Sequence, residues 1–233
     1  MLAGLGVVRS VLEIGAGEGA FGLRLASVYE YTGLEPDCAA FAVAERRFTR
    51  ARRRTVLNGG LECLEPTQRF DLVCAFEVLE HIADPVAVLA AWRSHVAPDR
   101  WLLVTVPAGD ARMGAADRRV GHFRRYDREG LEADLTAAGL SVISIEHFGF
   151  PLGYVLRSGR NIIASVHRDA SSQTERSGSS GRWLQPPDRL AWATRATTAP
   201  FRKLEATWRP AKLGTSLLGL AENKARHGLA GHS

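Results

Sequence analysis

Apolar positions along the first two thirds of the chain fall into short, strand-length runs, separated by segments in which they recur at helical spacing. "SVLEIGA" reads as a buried strand ending in glycines, and "GAFGLRLASVY" as the helix after it. "YTGLEP" is a second strand stopped by Pro36, followed by the helix "DCAAFAVAERRFTRA" with Asp37 placed to cap it. "RTVLNGG" makes a short third strand, and "FDLVCAFEVL" a strongly apolar fourth. "DPVAVLAAWRSHVAP" opens on an Asp-Pro cap and reads as a helix, and "RWLLVTVPA" as a fifth strand. This β-α-β-α order predicts an α/β fold: a parallel sheet with helices on both faces and right-handed crossovers. Ligands bind to such sheets outside the carboxyl ends of the strands.

The rhythm changes after Pro107. "AGDARMGAADRRVGHFRRYD" is too long and polar for a simple connection, and loops of this length in compact domains are usually functional or disordered. "REGLEADLTAAGL" is then a helix closed by Gly139, and "SVISIEHFGF" a strand. "PLGYVLRSGRNIIASVHR" looks helical and amphipathic, "DASSQTERSGSSG" is low-complexity, and Trp183, Trp192 and Trp208 follow among prolines and arginines. "GTSLLGLAEN" reads as a last strand. The chain thus divides into a core at 1–149, a helical insertion or lid at 150–213 with a mobile linker near 169–182, and a last strand and tail at 214–233.

With 233 residues the chain suffices for one sizeable domain and an appendage. No run approaches the ~18 apolar residues of a membrane span. "MLAGLGVVRSVLEIG" has no basic stretch ahead of its apolar residues, so no signal peptide is expected and the predicted location is cytoplasmic. The formal charge of +5 comes almost wholly from arginine, much of it in "RRFTRARRR", Arg46 to Arg54. This cluster reads either as a phosphate-binding patch or as the solvated end of a surface helix, and the second is favoured, so nucleic acid is not an expected partner. Cys38, Cys63 and Cys74 form no C-x-x-C pair; neither a disulfide framework nor a zinc site is indicated, and no metal is expected.

The chemistry begins in "VLEIGAGEGA". Gly15, Gly17 and Gly19 permit a sharp strand-to-helix turn with close backbone approach to a ligand, and the helix that follows offers free N–H groups to an anionic group. Gly15, Gly17 and Ala20 also satisfy the dinucleotide spelling G-x-G-x-x-G/A. Glu13 and Glu18, however, would repel a pyrophosphate and suit a cofactor bearing an ammonium and a sulfonium. That tilts the reading from NAD to S-adenosylmethionine, and the absence of a Tyr-x-x-x-Lys further disfavours an NAD(P) oxidoreductase. Glu35 closes the second strand about twenty residues beyond Gly15, where a carboxylate can accept from both ribose hydroxyls.

Taken in order, "VLEIGAGEG", "YTGLEP", "FDLVCAFEVLEHIADP", "WLLVTVPA" and "GHFRRYDREGLEADLTAAGL" resemble the class I S-adenosylmethionine-dependent methyltransferases, in the small-molecule branch with "EHI" signatures. The resemblance covers about residues 8 to 148 and implies a doubly wound, Rossmann-like sheet of seven mostly parallel strands with an antiparallel last strand. It implies cofactor contacts at Glu13, Gly15, Gly17 and Gly19 near the methionine part and at Glu35 and Pro36 near the ribose. Gly60 and Leu61 would border the adenine, and Ala75, Phe76 and Glu77 would line the cofactor at the end of the fourth strand. Gly60 stands where this family usually carries an acidic or polar residue, so Glu62 or the main chain would supply that contact. The family usually has helices before the first strand that cover the site. Here that cover is expected from an earlier start than the recorded one, from the 150–212 insertion or from a partner subunit.

Methyl transfer from a sulfonium is an in-line displacement, so the protein must chiefly hold the nucleophile ~3–3.5 Å from the methyl carbon. A general base is needed only for a protonated acceptor, and the candidates are His81, His122 and Tyr126. Arg124 and Arg125 could grip an acidic group on the acceptor. Phe148, with the apolar segment after it, could roof the acceptor site or touch a membrane surface. The acceptor is expected to be a small molecule, with natural-product, sugar and lipid-linked metabolites as candidates. A non-catalytic methyltransferase-like binding subunit is the alternative, and oligomerisation is left open.

Overall fold

The computed structural model describes residues 6–49, 54–109, 113, 117, 121–149 and 214–225. The insertion expected at 150–213, with its linker and tryptophans, lies outside the described residues, as do most of the loop at 110–120, Arg50, Arg52 and Arg53, and the tail from 226.

Seven strands, β1 (Ser10–Ile14), β2 (Glu30–Leu34), β3 (Arg54–Leu57), β4 (Phe70–Phe76), β5 (Val96–Pro107), β6 (Ser141–Phe148) and β7 (Ser216–Asn223), form one sheet in the order β3-β2-β1-β4-β5-β7-β6. The first five pair in parallel, and β7 runs antiparallel between β5 and β6. The seven-stranded, mostly parallel, doubly wound architecture expected from the sequence is therefore the one observed. Helices α1 (Gly22–Ala26), α2 (Cys38–Phe48), α3 (Pro85–Ser94) and α4 (Arg128–Ala137) supply the layers.

The apolar runs explain why the sheet is covered twice. In β1, Val11 belongs to one buried cluster with Leu25, Tyr31, Ala44 and Phe48, whereas its neighbour Leu12 belongs to a second with Leu89, Trp92, Leu131 and Leu135. Adjacent strand residues point to opposite faces, so a continuous apolar run can satisfy a core on each side. Aspartates start three of the helices: Asp37 accepts from Ala40 N–H, Asp84 from Ala87 N–H and Asp127 from Gly130 N–H. Asp127→Ala should cost about 1 kcal/mol, a fall of roughly 2–4 °C in melting temperature, with no change in the far-UV spectrum of the folded protein.

One boundary differs from the sequence expectation. The helix expected to run through Pro98 stops at Ser94, and β5 already begins at Val96. Pro98 disfavours helical geometry in the residue before it. The extra residues are absorbed as a bulge in the pairing with β4 between Phe70 and Leu72, with Asp99 in the left-handed region at φ 55°.

The chain leaves β1 toward β2 and β3 and then returns to β4 on the other side of β1. This reversal opens a crevice at the carboxyl ends of β1 and β4, which is where a doubly wound sheet takes its ligands.

Candidate active site

The loop after β1 is built around a carboxylate. Gly15, Gly17 and Gly19 all have positive φ, at 72°, 56° and 77°. A Cβ on Gly19 would also come within 2.5 Å of Phe48 Cε2, so only glycine fits under the start of α1. The N–H groups of Gly15 and Ala16 both donate to the Leu34 carbonyl at 2.9 Å. Gly17 N–H donates to Glu35 Oε2 at 2.6 Å, and Asp37 N–H donates to Glu35 Oε1 at 2.8 Å. Each carboxylate oxygen has more than one lone-pair direction, so Glu35 retains acceptor capacity toward the crevice. A Cβ at Gly17 would meet nothing within 4 Å, so the open side of the cradle faces that residue.

Glu13 and Glu18 take different places. Glu18 pairs with Arg47 at 3.3 Å, drawing one arginine of the basic cluster onto the loop. Arg46 lies in the last turn of α2, and Arg54 rests over the Phe48 ring. Glu13 is buried beneath the loop, where the Tyr31 hydroxyl donates to its Oε2 at 2.6 Å. Burial, opposed by that hydrogen bond, pushes the Glu13 carboxyl up to about 7.

The turns after β2 and β3 are tied to each other. Asn58 donates from Nδ2 to the carbonyls of Glu35, at 2.8 Å, and Pro36, at 3.4 Å. Gly60 N–H donates to Glu62 Oε1 at 2.6 Å, and this bond lowers the Glu62 carboxyl below its ordinary value. Leu61 opens the short helix Leu61–Cys63 beside them.

At the end of β4, Ala75 is buried in the core and Phe76 meets Phe21 edge-on at 4.8 Å between centroids. Glu77 is exposed and sits at φ 55°, a conformation uncommon for a non-glycine residue. Its N–H donates to the Thr105 carbonyl at 3.0 Å, which locks the strained residue to β5. A single turn, Leu79–His81, follows.

The structure brings "LEHI" and "GHFRRYD" together. Phe123 N–H donates to the Glu80 carbonyl at 2.8 Å, joining the two loops. His81 and His122 meet edge to face at 4.6 Å. His122 Nε2 lies 3.8 Å from Glu80 Oε1, and its Nδ1 lies 3.4 Å from Asp117 Oδ1. Glu80 is fully buried, and neither of its oxygens has a hydrogen-bond partner among the described residues. Desolvation, reinforced by Glu77, pushes its carboxyl up to about 8. Desolvation lowers His81 below its ordinary value, against a hydrogen bond to the Gly121 main chain.

The remaining site residues are engaged in holding this loop. Arg125 is buried; its Nε donates to Asp117 Oδ2 at 3.0 Å, its Nη2 pairs with Asp117 Oδ1, and its Nη1 donates to the Ala108 carbonyl at 3.2 Å. That fork leaves Arg125 positioning Asp117, while Arg124 donates to the Ala83 carbonyl at 2.6 Å. Tyr126 is buried in the core with Leu131 and Leu135, and burial raises its hydroxyl above the usual range. Phe148 ends β6, where its carbonyl accepts from Thr215 N–H at 3.0 Å; the segment expected to extend it lies outside the described residues. Sequence reasoning passed over Glu80, Asp117 and Tyr31. Glu80 carries no local signal of its burial, and Asp117 acquires its role only through a fold that sets it against Arg125 and His122.

A family model described as a methyltransferase domain matches residues 2–145. Among solved structures, phosphoethanolamine N-methyltransferase 2 of Haemonchus contortus, in complex with S-adenosyl-L-methionine, is 17% identical with a TM-score of 0.61. The alignment covers 96% of this chain and 51% of that one, about half of the longer protein. N-methyltransferase NodS of Bradyrhizobium japonicum, in complex with S-adenosyl-L-homocysteine, is 18% identical with a TM-score of 0.55, covering 94% and 80% of the two chains. The [4+2]-cyclase SpnF is 19% identical with a TM-score of 0.60, covering 96% and 78%. At these identities the likeness is one of fold. No curated protein sequence matches the chain.

Proposed function

The chain belongs to the methyltransferase domain family, and on that premise we propose that it transfers a methyl group from S-adenosylmethionine to a small-molecule acceptor. The observation that carries the reading is Glu35, whose carboxylate tethers the glycine loop through Gly17 while keeping acceptor capacity beside an open cradle. A carboxylate in that position suits two ribose hydroxyls, and the exposed Glu77 at the end of β4 favours a cationic cofactor over a pyrophosphate. When bound, S-adenosylmethionine supplies a methyl group already activated on sulfur.

In this reading Gly15, Gly17 and Gly19 admit the methionine part, with Glu13 supporting the loop from beneath. Glu35 and Pro36 border the ribose, and Gly60 and Leu61 the adenine. Ala75, Phe76 and Glu77 close the cofactor side at the end of β4. The acceptor enters over His81 and His122, beside Arg124 and Phe148. His122 is the candidate base, with Asp117 Oδ1 3.4 Å from its Nδ1 and Glu80 Oε1 3.8 Å from its Nε2.

The test is thermal. S-adenosylhomocysteine at 100 times its Kd should add about 2.7 kcal/mol of stability, a rise of roughly 5–10 °C. No shift in well-folded protein, or a shift with NADH in its place, would overturn the proposal. Binding without turnover of any acceptor would instead support the alternative of a non-catalytic subunit. The fold permits that outcome, since it also serves a cyclase.

A further inference from the structure

We propose that Glu80, His81 and His122 form a binding site for one divalent transition-metal ion of the Zn2+ and Co2+ class. One ligand atom from each of the three lies within 4.8 Å of the others, although the two loops that carry them are far apart in sequence. Two histidines and a carboxylate form a donor set that such ions take, with positions left open for a further ligand.

Three observations favour an ion over a simple hydrogen-bonded cluster. First, Glu80 is fully buried with both oxygens unpartnered among the described residues. A buried carboxylate without partners is costly, and an ion at this position removes the cost. Second, the spacing is wrong for direct bonds and right for a shared ion. His122 Nε2 stands 3.8 Å from Glu80 Oε1, too far for a hydrogen bond. Two ligand atoms each about 2.0–2.1 Å from a tetrahedral ion lie roughly 3.4 Å apart, so small side-chain rotations close the site.

Third, the His122 ring has a carboxylate behind it, as metal-bound histidines usually do. His122 turns Nδ1 toward Asp117 at 3.4 Å, and Asp117 is in turn fixed by the fork of Arg125. Asp117 thus stands behind the His122 ring, the place a carboxylate takes in the carboxylate–histidine–metal arrangement of known sites. His81 is held from its own side by a hydrogen bond to the Gly121 main chain. The cysteines that would compete for such an ion are elsewhere: Cys74 is buried in the core and Cys38 and Cys63 lie beside Asn58.

The site borders the end of β4, next to Glu77. Granting the methyltransferase reading, an ion here would take His122 out of the role of base, bind an acceptor oxygen in its open position and so select oxygen-bearing acceptors.

The experiment uses untagged full-length protein freed of metal with a chelator that is then removed. Titration with CoCl2 should give visible absorption saturating at one equivalent, with no near-ultraviolet sulfur-to-cobalt band, and Zn2+ should displace it. His81→Asn and His122→Asn should each weaken uptake by at least about tenfold, and Asp117→Asn, which leaves all three ligands, by about 10–100-fold. Substoichiometric uptake by the wild type, uptake unchanged in both histidine variants, or a sulfur band lost in the Cys38→Ser, Cys63→Ser variant would each overturn the proposal. The wild-type cobalt spectrum stands even if a variant fails to fold. Because the S-adenosylhomocysteine shift is measured without metal, loss of that shift with cobalt binding intact removes the methyltransferase reading and leaves the ion site standing.

Discussion

Glu35→Ala is expected to weaken S-adenosylhomocysteine binding by about 100-fold or more, removing the thermal shift at ligand concentrations that stabilise the wild type. The magnitude follows from two hydroxyl hydrogen bonds to a charged acceptor, each contributing about 1.5–3 kcal/mol, reduced for water that replaces the side chain. Glu35 also receives the N–H groups of Gly17 and Asp37. Its loss therefore loosens the glycine loop and the start of α2 as well, and the unliganded protein should melt a few degrees lower. Glu35→Gln separates the two roles. The amide keeps one oxygen for a main-chain N–H but sets its own N–H against the other main-chain donor and offers no acceptor to the second hydroxyl, so folding stability should return in part while binding does not. Calorimetric titration of the three proteins checks this. If Glu35→Ala binds S-adenosylhomocysteine as the wild type does, the ribose role is wrong and the cradle must hold its ligand elsewhere.

Much of this site was legible because local chemistry demands it. Three glycines in five residues after an apolar run have few structural uses other than a tight cradle, and the positive φ at Gly15, Gly17 and Gly19 bears that out. Asp37, Asp84 and Asp127 announce the helices they cap, because a short polar side chain before an apolar periodicity satisfies orphan N–H groups. The core strands were plain from continuous apolar runs buried on both faces.

What could not be read is what depends on distant partners. Nothing in "EYTGL" says that Tyr31 will send its hydroxyl under β1 to Glu13, or that Gly22 and Gly33 lack side chains because that hydroxyl lies within 2.5 Å of where either Cβ would stand. The antiparallel direction of β7 was carried by the family resemblance and its place between β5 and β6 was not read, since an apolar strand pattern reveals neither neighbours nor direction. Arg125 looked like a substrate clamp because a loop arginine beside an aromatic often is one. Only the fold shows its donors taken by Asp117 and Ala108.

The Glu13–Tyr31 pair gives the second large effect, and it separates a supporting role for Glu13 from a direct one. The folded protein keeps the Glu13 proton up to about pH 7, whereas the unfolded chain releases it near its ordinary value of 4.5. Unfolding thus releases a proton throughout that window, and stability falls as pH rises from about 4.5 to 7 and then levels off. The contribution lost is about 3 kcal/mol, or roughly 6–12 °C in melting temperature. Glu13→Gln has no proton to release, yet its amide oxygen can still accept from Tyr31. Its melting temperature should match the wild type near pH 4.5 and exceed it progressively toward pH 7.5, a comparison in which every other titrating group cancels. A constant difference across that range would mean the carboxyl is not buried as described. The same variant, titrated with S-adenosylhomocysteine at pH 7.5, decides the role. A group that props the loop from beneath can lose its charge with only a few-fold change in affinity, whereas one that binds the cofactor's ammonium directly cannot.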